Sequence, residues 1–179
     1  EFPFGLSQEE ADAGFVLACQ ARARSNMVIA AAQVGGDVSA PMQIESRVVD
    51  ISPLGPDVRR LAIALPEQVD LKFNPGQYMN VLLDDGERRS FSMASFAGLP
   101  VLDFHIKRVP GGRFTDDRLS SLKPGDRLDV ELPLGSFRFH AEDYRPLLMV
   151  VTGTGLAPVK AILESLMDDP DCPPIWLYW

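Results

Sequence analysis

Residues 102–107 read Leu-Asp-Phe-His-Ile-Lys, and this stretch decides how the middle of the chain is interpreted. Its apolar and polar side chains alternate, which is typical of a strand with one face buried and one in water. The same alternation recurs at residues 61–65 and 128–132. Signals for turns separate the runs, at residues 53–56, 74–76, 84–86, 110–112, 123–126 and 134–135. Short strands from residue 42 to about 140, with one short helix near residues 115–122, predict a mainly β fold, an antiparallel barrel that hides its edges.

The sequence pattern changes after residue 144. Residues 147–151 form a continuous apolar run, which predicts a parallel strand buried on both faces. A glycine turn follows, and residues 158–167 then predict a helix with Pro158 at its first position, where a backbone N–H is dispensable. Residues 175–179 are interpreted as the next parallel strand. This order predicts the start of an α/β domain.

The amino-terminal segment predicts little independent structure. Residues 6–29 suggest a helix followed by a strand, and Ser7 and Glu10 have the spacing of a capping box. Residues 30–41 are rich in Ala, Gly, Val and Ser without an amphipathic period, so we interpret them as a linker. Because the sequence starts abruptly at Glu1, without a start methionine or signal-peptide pattern, we expect a fragment of a longer protein.

Composition narrows the possible functions. Apolar residues make up 46% of the chain and charged residues 23%, as in ordinary globular proteins. The net charge of -8 would repel phosphate backbones and acidic membranes, so we expect neither nucleic acid nor a membrane as partner. Apolar runs fall far short of the ~20 residues that span a bilayer. Two cysteines, Cys19 and Cys172, are too few for a disulfide framework, which favours a cytoplasmic setting.

The segment Arg89-Ser90-Phe91-Ser92 combines three groups suited to a phosphorylated aromatic ligand. A guanidinium can bind a phosphate in a two-pronged manner, an aromatic ring can pack on another ring, and a small hydroxyl can form a hydrogen bond. Strand alternation would place Arg89 and Phe91 on one face and Ser90 and Ser92 on the other, unless the strand bends. The same residues also fit a polar strand end with a solvated arginine.

This segment resembles the Arg-x-Tyr/Phe-Ser signature of the ferredoxin–NADP reductase superfamily. The resemblance implies a Greek-key flavin-binding barrel in which Arg89 holds phosphate and Phe91 covers the flavin. It also implies that Ser90 lies within the cofactor-binding segment and that Ser92, the candidate catalytic residue, lies near flavin N5.

Two further segments are similar to parts of the same barrel. Asn74-Pro75-Gly76-Gln77-Tyr78 resembles the "PGQY" stretch that precedes the arginine signature. A second cofactor segment follows, whose implied binding residues are His105, Ile106, Lys107, Gly111, Gly112 and Thr115. Glycines there would let backbone N–H groups approach a phosphate, and Thr115 would serve as helix N-cap. Ordinary hairpin turns explain each piece singly, but not their order.

A third segment, Gly153-Thr154-Gly155-Leu156-Ala157-Pro158, lies between the predicted buried strand and helix. It resembles the superfamily's nicotinamide-dinucleotide loop, which rests a diphosphate on the helix N-terminus. The implied binding residues are Gly153, Thr154, Gly155 and Pro158.

Residues 17–20, Leu-Ala-Cys-Gln, resemble the end of a plant-type ferredoxin, where the cysteine is the last cluster ligand. Such clusters need four thiolates, so Cys19 would bind a [2Fe–2S] cluster only in an intact protein that supplies the other three. In this chain alone, Cys19 is interpreted as a small buried apolar residue.

Together the resemblances divide the chain into four parts: a ferredoxin remnant at residues 1–29, a linker at 30–41, an FAD-binding barrel at 42–143 and a truncated NAD(P)-binding domain at 144–179. They imply a reductase that passes electrons from NAD(P)H through FAD, and through the cluster in the intact protein, to a terminal oxygenase or similar acceptor. Three alternatives stay open: a flavin-free β-barrel interaction module, a simple NAD(P)H–flavin reductase, and an enzyme that uses FMN instead of FAD.

Overall fold

The computed structural model describes residues 7–15, 25, 38–141 and 145–179. The chain divides into two compact units, Glu1–Gln33 and Val34–Trp179. In the first unit, helix α1 covers Gln8–Asp12. The predicted strand before residue 29, Cys19 and the Glu10 side chain of the predicted capping box lie outside the described residues. The boundaries predicted for the four parts of the chain stay predictions.

The second unit contains eight strands and two further α-helices among the described residues. Their bounds are β1 Met42–Pro53, β2 Val58–Ala64, β3 Tyr78–Leu82, β4 Arg88–Ser92, β5 Leu102–Lys107, α2 Leu119–Ser121, β6 Arg127–Leu134, β7 Leu147–Val150, α3 Leu156–Leu166 and β8 Ile175–Tyr178. A π-helical segment, Arg113–Arg118, leads into α2, and a 3₁₀ turn, Gly153–Gly155, leads into α3.

Six strands form one antiparallel sheet in the order β4-β3-β6-β1-β2-β5. Strand β6 returns to lie between β1 and β3, which is the long-range crossover expected of a Greek key. The sheet curls so that its two edges approach, and just beyond β4 Met93 forms a single bridge with Phe104 of β5. The prediction of a mainly β, antiparallel Greek-key fold is therefore confirmed, although the described residues form no continuous β4–β5 ladder that would close the barrel.

The predicted alternation correctly identifies the core. In β5, the side chains of Leu102, Phe104 and Ile106 are buried, whereas those of Asp103 and His105 are only partly so. The largest fully buried side chains come from the strands, from the chain just after β4, from the π-helical segment and from helices α2 and α3; they are Phe104, Phe114, Leu61, Ile63, Met79, Met93, Ile106, Leu119, Leu128, Leu132, Ile162 and Val81. Burial of this many large apolar groups is the main free-energy gain that holds the sheet in its curled form.

Strands β7 and β8 pair in parallel and α3 connects them, as the sequence predicts for an α/β start. The prediction that the first of these strands is buried on both faces is wrong. Leu148 and Val150 are 67% and 71% exposed, and Leu147 and Met149 are partly buried. A strand is buried on both faces only when elements pack on both sides of its sheet, and the described residues cover one side. No helix among the described residues is long and apolar enough to cross a membrane.

Candidate functional site

Strand β4 presents the four residues of the arginine signature in regular alternation. Phe91 lies opposite Met79 and Arg89 opposite Val81 in the β3–β4 ladder. Directly opposed residues point to the same face, so Arg89 and Phe91 share the face of the buried core, and Ser90 and Ser92 share the other. The ladder is regular to Ser92, and the bend that would bring all four residues to one face does not occur within β4.

Phe91 joins the arginine signature to the second predicted cofactor segment. Its ring centroid is 5.4 Å from that of Phe114, with the planes tilted by 42°. Phe114 is 1% exposed, whereas Phe91 is only partly buried and packs against the core. The two segments therefore converge in space, and they leave an aromatic surface at the junction.

Charged groups surround the same junction. Arg89 Nη2 lies 2.6 Å from Glu87 Oε2, and Arg113 Nη1 lies 3.7 Å from the same oxygen. Arg113 also forms an ion pair with Asp85. The backbone N–H of Glu87 and the guanidinium of Arg113 hold the pKa of Asp85 below its usual value, and Asp85 in turn raises the pKa of Arg113. Two guanidinium groups from separate segments thus face one carboxylate.

Side chains of the π-helical segment, together with one backbone hydrogen bond, hold the glycine turn that precedes it. Gly111, with φ +72°, donates its N–H to Asp116 Oδ2 at 2.7 Å, and Gly112 donates to the Val109 carbonyl at 2.8 Å. The Thr115 hydroxyl accepts the Val109 N–H at 3.1 Å. The carboxylate of Asp116 lies against Arg108, which together with the Gly111 N–H keeps the pKa of Asp116 low.

The prediction that Thr115 caps a helix is wrong. The helical segment begins at Arg113, Gly112 is its N-cap residue, and no side chain caps it. The Thr115 hydroxyl is engaged by Val109 and lies within the first turn. Gly112 has no strained φ; a Cβ there would lie 2.5 Å from Thr115 Oγ1 and 2.8 Å from the Val109 carbonyl, so this position needs a glycine for space.

The three β5 residues predicted to bind cofactor have different environments. The Ile106 side chain is buried in the core, and Lys107 is exposed with Nζ 3.4 Å from Asp57. His105 is partly buried on the outer face of the sheet. Burial lowers the pKa of His105, and the positive charge of Lys160 on α3 lowers it further. Of these three residues, only Ile106 has a side chain that is fully buried in the core and so inaccessible to a ligand.

The His105 environment predicts a pH dependence. A depressed folded-state pKa means that the unfolded chain binds the proton more tightly, so stability falls as pH drops through the unfolded value of about 6.5. Asp103, Glu164 and Arg60 also act on this imidazole. We expect thermal unfolding to show a smaller loss of stability between about pH 7.5 and 5.5 in His105→Gln than in wild type. His140→Gln is the control, and equal slopes in wild type and His105→Gln would contradict the assignment.

The glycine loop of the nucleotide signature lies beside the barrel. The turn Gly153–Gly155 lies against β5, and Gly153, with φ +52°, accepts a hydrogen bond from the Trp179 indole at 3.3 Å. Helix α3 starts at Leu156, so Pro158 is its third residue and not its first as predicted. The 3₁₀ turn leads directly into α3, so the helix begins before the proline that was predicted to start it.

Lys160 of α3 ties this helix to the barrel. Its Nζ donates to the Ala94 carbonyl at 3.0 Å and to Glu164 Oε2 at 2.7 Å. Ala94 lies two residues beyond Ser92, on the chain leaving β4. The helix that follows the glycine loop is thereby fixed next to the segment that carries the predicted catalytic hydroxyl.

Ser90 is engaged on the outer face of the sheet. Its hydroxyl donates to Asn80 Oδ1 at 2.7 Å, and Asn80 donates to Glu131 Oε2 at 3.0 Å. Arg88 Nη1 lies 3.6 Å from the same Glu131 oxygen. This network joins β3, β4 and β6, and it directs the Ser90 side chain away from the Phe91–Phe114 junction.

Three groups at or near the junction were missed by reasoning from sequence: Glu87, Arg113 and Lys160. Arg113 directly follows the glycine pair, and Glu87 ends the acidic turn Asp84-Asp85-Gly86-Glu87. The acidic turn lies directly before the arginine signature in the sequence, and this proximity could have indicated an ion pair there. The position of Lys160 depends on how α3 packs, which no local pattern reports. Cys19, the predicted metal ligand, lies outside the described residues.

Comparison with known proteins identifies related chains. The family model described as "Oxidoreductase FAD-binding domain" matches residues 45–139. Reductase component 2 of terephthalate 1,2-dioxygenase from Comamonas sp. is 42% identical over 131 residues, which cover 73% of this chain and 39% of that protein. The reductase subunit of an aromatic O-demethylase from Amycolatopsis sp. is 35% identical over 169 residues, covering 90% and 50%. The chain thus spans half or less of these relatives.

Solved structures agree with these relationships. The Amycolatopsis cytochrome P450 reductase GcoB superposes with a TM-score of 0.76 at 33% identity, covering 97% of this chain and 54% of that one. Ferredoxin–NADP⁺ reductase from Plasmodium falciparum gives a TM-score of 0.66 at 19% identity over 76% of this chain and 58% of that one, which shows the shared fold. From the matched residues and this fold, the chain belongs to the oxidoreductase FAD-binding domain family, within the ferredoxin–NADP reductase superfamily.

Proposed function

We propose that residues 42–143 bind FAD at the junction of Phe91 and Phe114, in a protein that transfers electrons from NAD(P)H to an oxygenase or similar acceptor. The observation that carries the proposal is the convergence of the two segments. The rings of Phe91 and Phe114 touch, and Arg89 and Arg113 face one oxygen of Glu87. Aromatic surface and two guanidinium groups at one place match a tricyclic ring joined to a diphosphate.

The chain's own groups fit the cofactor. A carboxylate already lies within 4 Å of both guanidinium groups, so the site accepts an anion. Phe91 is partly buried and packs on the fully buried Phe114, which would provide a firm apolar surface. When bound, FAD would accept hydride and release electrons singly, and the protein would supply position and electrostatics.

Each predicted residue has a proposed role. Arg89 would hold the diphosphate, Phe91 would cover the ring, and Ser92 would place its hydroxyl near ring nitrogen N5. Ser92 lies on the face of β4 opposite to Phe91, so a ring that contacts both residues would have to pass the end of the strand. Ser90 is engaged with Asn80, so we assign it a supporting role within the strand.

The second half of the proposal concerns the nicotinamide cofactor. Residues 144–179 would form part of an NAD(P)-binding domain, with Gly153, Thr154, Gly155 and Pro158 at the dinucleotide. Its support is the order strand, glycine turn, helix and parallel strand. The hydrogen bond from Lys160 to the Ala94 carbonyl would keep this loop next to β4.

The electron acceptor is proposed from the relatives. Those named above include reductase components of dioxygenase and demethylase systems. In the intact protein, residues 1–29 would complete a ferredoxin-like domain, and Cys19 would be one of the four thiolates that bind a [2Fe–2S] cluster.

Titration with flavins tests the proposal. We expect calorimetry to show saturable binding of FAD at one site per chain, with weaker binding of FMN because it lacks the second phosphate. Absence of binding by either flavin would favour a flavin-free interaction module. Equal affinity for both would support the FMN-using alternative. A parent protein without three further cysteines upstream would support a simple NAD(P)H–flavin reductase.

A further inference from the structure

Two arginines from separate segments converge on one carboxylate oxygen. Glu87 lies at the end of the turn between β3 and β4, Arg89 lies on β4, and Arg113 begins the π-helical segment after the glycine pair. Glu87 Oε2 is 2.6 Å from Arg89 and 3.7 Å from Arg113. The Arg113 guanidinium also contacts Asp85 of the same turn. The turn thus supplies internal anions to both guanidinium groups.

The Glu87 carboxylate is a weak occupant of this position. Its side chain is 50% exposed, and those of Arg89 and Arg113 are 39% and 57% exposed. Ion pairs at such exposure contribute little net stability, because water and salt screen them and ordering long side chains costs entropy. A diphosphate has more charge and more acceptor oxygens than a carboxylate, and guanidinium groups bind it in a two-pronged manner. It can therefore displace Glu87.

We propose that Arg113 binds the diphosphate of FAD together with Arg89, and that Glu87 is an internal competitor which pairs with Arg89, and more loosely with Arg113 beside Asp85, until the diphosphate displaces it. This inference rests on the proposed FAD function and adds a residue and a competition to it. Phe91 lies two residues after Arg89, and Phe114 directly follows Arg113. Their rings are in contact, which holds the two backbones that carry Arg89 and Arg113 close together.

The competition acts on a flavin only through its phosphates. Riboflavin has no phosphate and gains nothing by displacing Glu87. FMN can engage the arginines with one phosphate, and FAD with two. Glu87 therefore lowers affinity for all phosphorylated flavins and leaves riboflavin unaffected. It also keeps the two positive groups paired when no cofactor is bound, which limits repulsion between them.

The test compares Glu87→Gln, Arg113→Gln and the double variant with wild type in titrations with FAD and riboflavin. We expect Glu87→Gln to bind FAD about fivefold more tightly, since a screened ion pair is removed. Arg113→Gln should bind FAD about tenfold more weakly, since one charge-assisted contact is lost. In the double variant the gain from Glu87→Gln should be smaller, because one of its two partners is absent. Riboflavin affinity should stay within about twofold throughout.

Glu45→Gln is the matched control. Glu45 is 49% exposed, pairs with Arg127 at 3.1 Å and lies on β1 instead of the β3–β4 turn. The Glu45→Gln substitution makes the same change of net charge and should leave FAD affinity unchanged.

Unchanged FAD affinity in Glu87→Gln, or an equal gain in Glu45→Gln, overturns the competition. Unchanged FAD affinity in Arg113→Gln overturns the role of Arg113. If wild type and all variants fail to bind FAD, both this inference and the proposed function fail; if wild type binds FAD but the variants do not respond, only this inference fails.

Discussion

Replacing Arg89 by methionine is expected to weaken FAD binding by about 10- to 100-fold, because a charge-assisted hydrogen bond to a phosphate contributes about 1.5–3 kcal/mol. Methionine keeps most of the length and apolar stem of arginine but has no charge or donor. Arg89 is partly exposed and donates hydrogen bonds to Glu87 and to the Arg88 carbonyl, both close in sequence, so the fold should tolerate the change. The loss should therefore appear in cofactor affinity and not in the unfolding temperature.

Titration calorimetry with FAD, and thermal unfolding without it, measure these two quantities separately. Arg127→Met is the matched control, since it removes an exposed arginine that pairs with Glu45 on another strand. If both variants lose FAD affinity equally, the effect is one of net charge, and Arg89 has no special contact with the cofactor. An Arg89→Met affinity within about twofold of wild type would contradict the phosphate role outright.

Local patterns were sufficient for the strands. The alternation at residues 102–107 identified the buried side chains of β5 because a pleated strand sends successive residues to opposite faces. The same rule placed Arg89 and Phe91 together on β4, as the β3–β4 ladder confirms. Turn glycines were also readable, since Gly86 and Gly125 have positive φ at predicted turns.

The failures share one cause, namely that tertiary partners change what a local signal means. Thr115 has the chemistry of an N-cap, but its hydroxyl is engaged by Val109 across the glycine turn. Pro158 suits the start of a helix, but the preceding 3₁₀ turn lets α3 begin two residues earlier. The apolar run at β7 predicts burial on both faces, yet burial depends on what covers the sheet. Glu87 and Arg113 meet only because the barrel brings two segments together.

The "PGQY" stretch was recognised from resemblance, and its physical basis is a close approach between two backbones. Gly76 has φ +108°, and a Cβ there would lie 2.5 Å from the Phe137 carbonyl oxygen and 3.0 Å from its ring. Gln77 accepts the Asn74 N–H through Oε1 and donates to the Gly135 carbonyl, both at 2.8 Å. This stretch therefore fastens the start of β3 to the chain that leaves β6.

Gly76→Ala is accordingly expected to destabilise the fold by about 2–5 kcal/mol. The left-handed conformation costs a residue with a Cβ about 1–2 kcal/mol, and forcing an extra methyl against fixed backbone costs about 1–3 kcal/mol more. Denaturant unfolding measures the sum.

Gly86→Ala separates the two contributions, because Gly86 has φ +82° but no atom within 4 Å of a Cβ. It should show only the conformational cost, about 1–2 kcal/mol. Equal losses of stability in the two variants would mean that Phe137 can move away from the added methyl group without a loss of stability. The glycine at position 76 would then be needed only for the backbone conformation of the turn. A much larger loss of stability in Gly76→Ala would instead show that close contact with the chain after β6 requires a glycine at the start of β3. Strand β3 in turn holds β4 and its arginine signature in register.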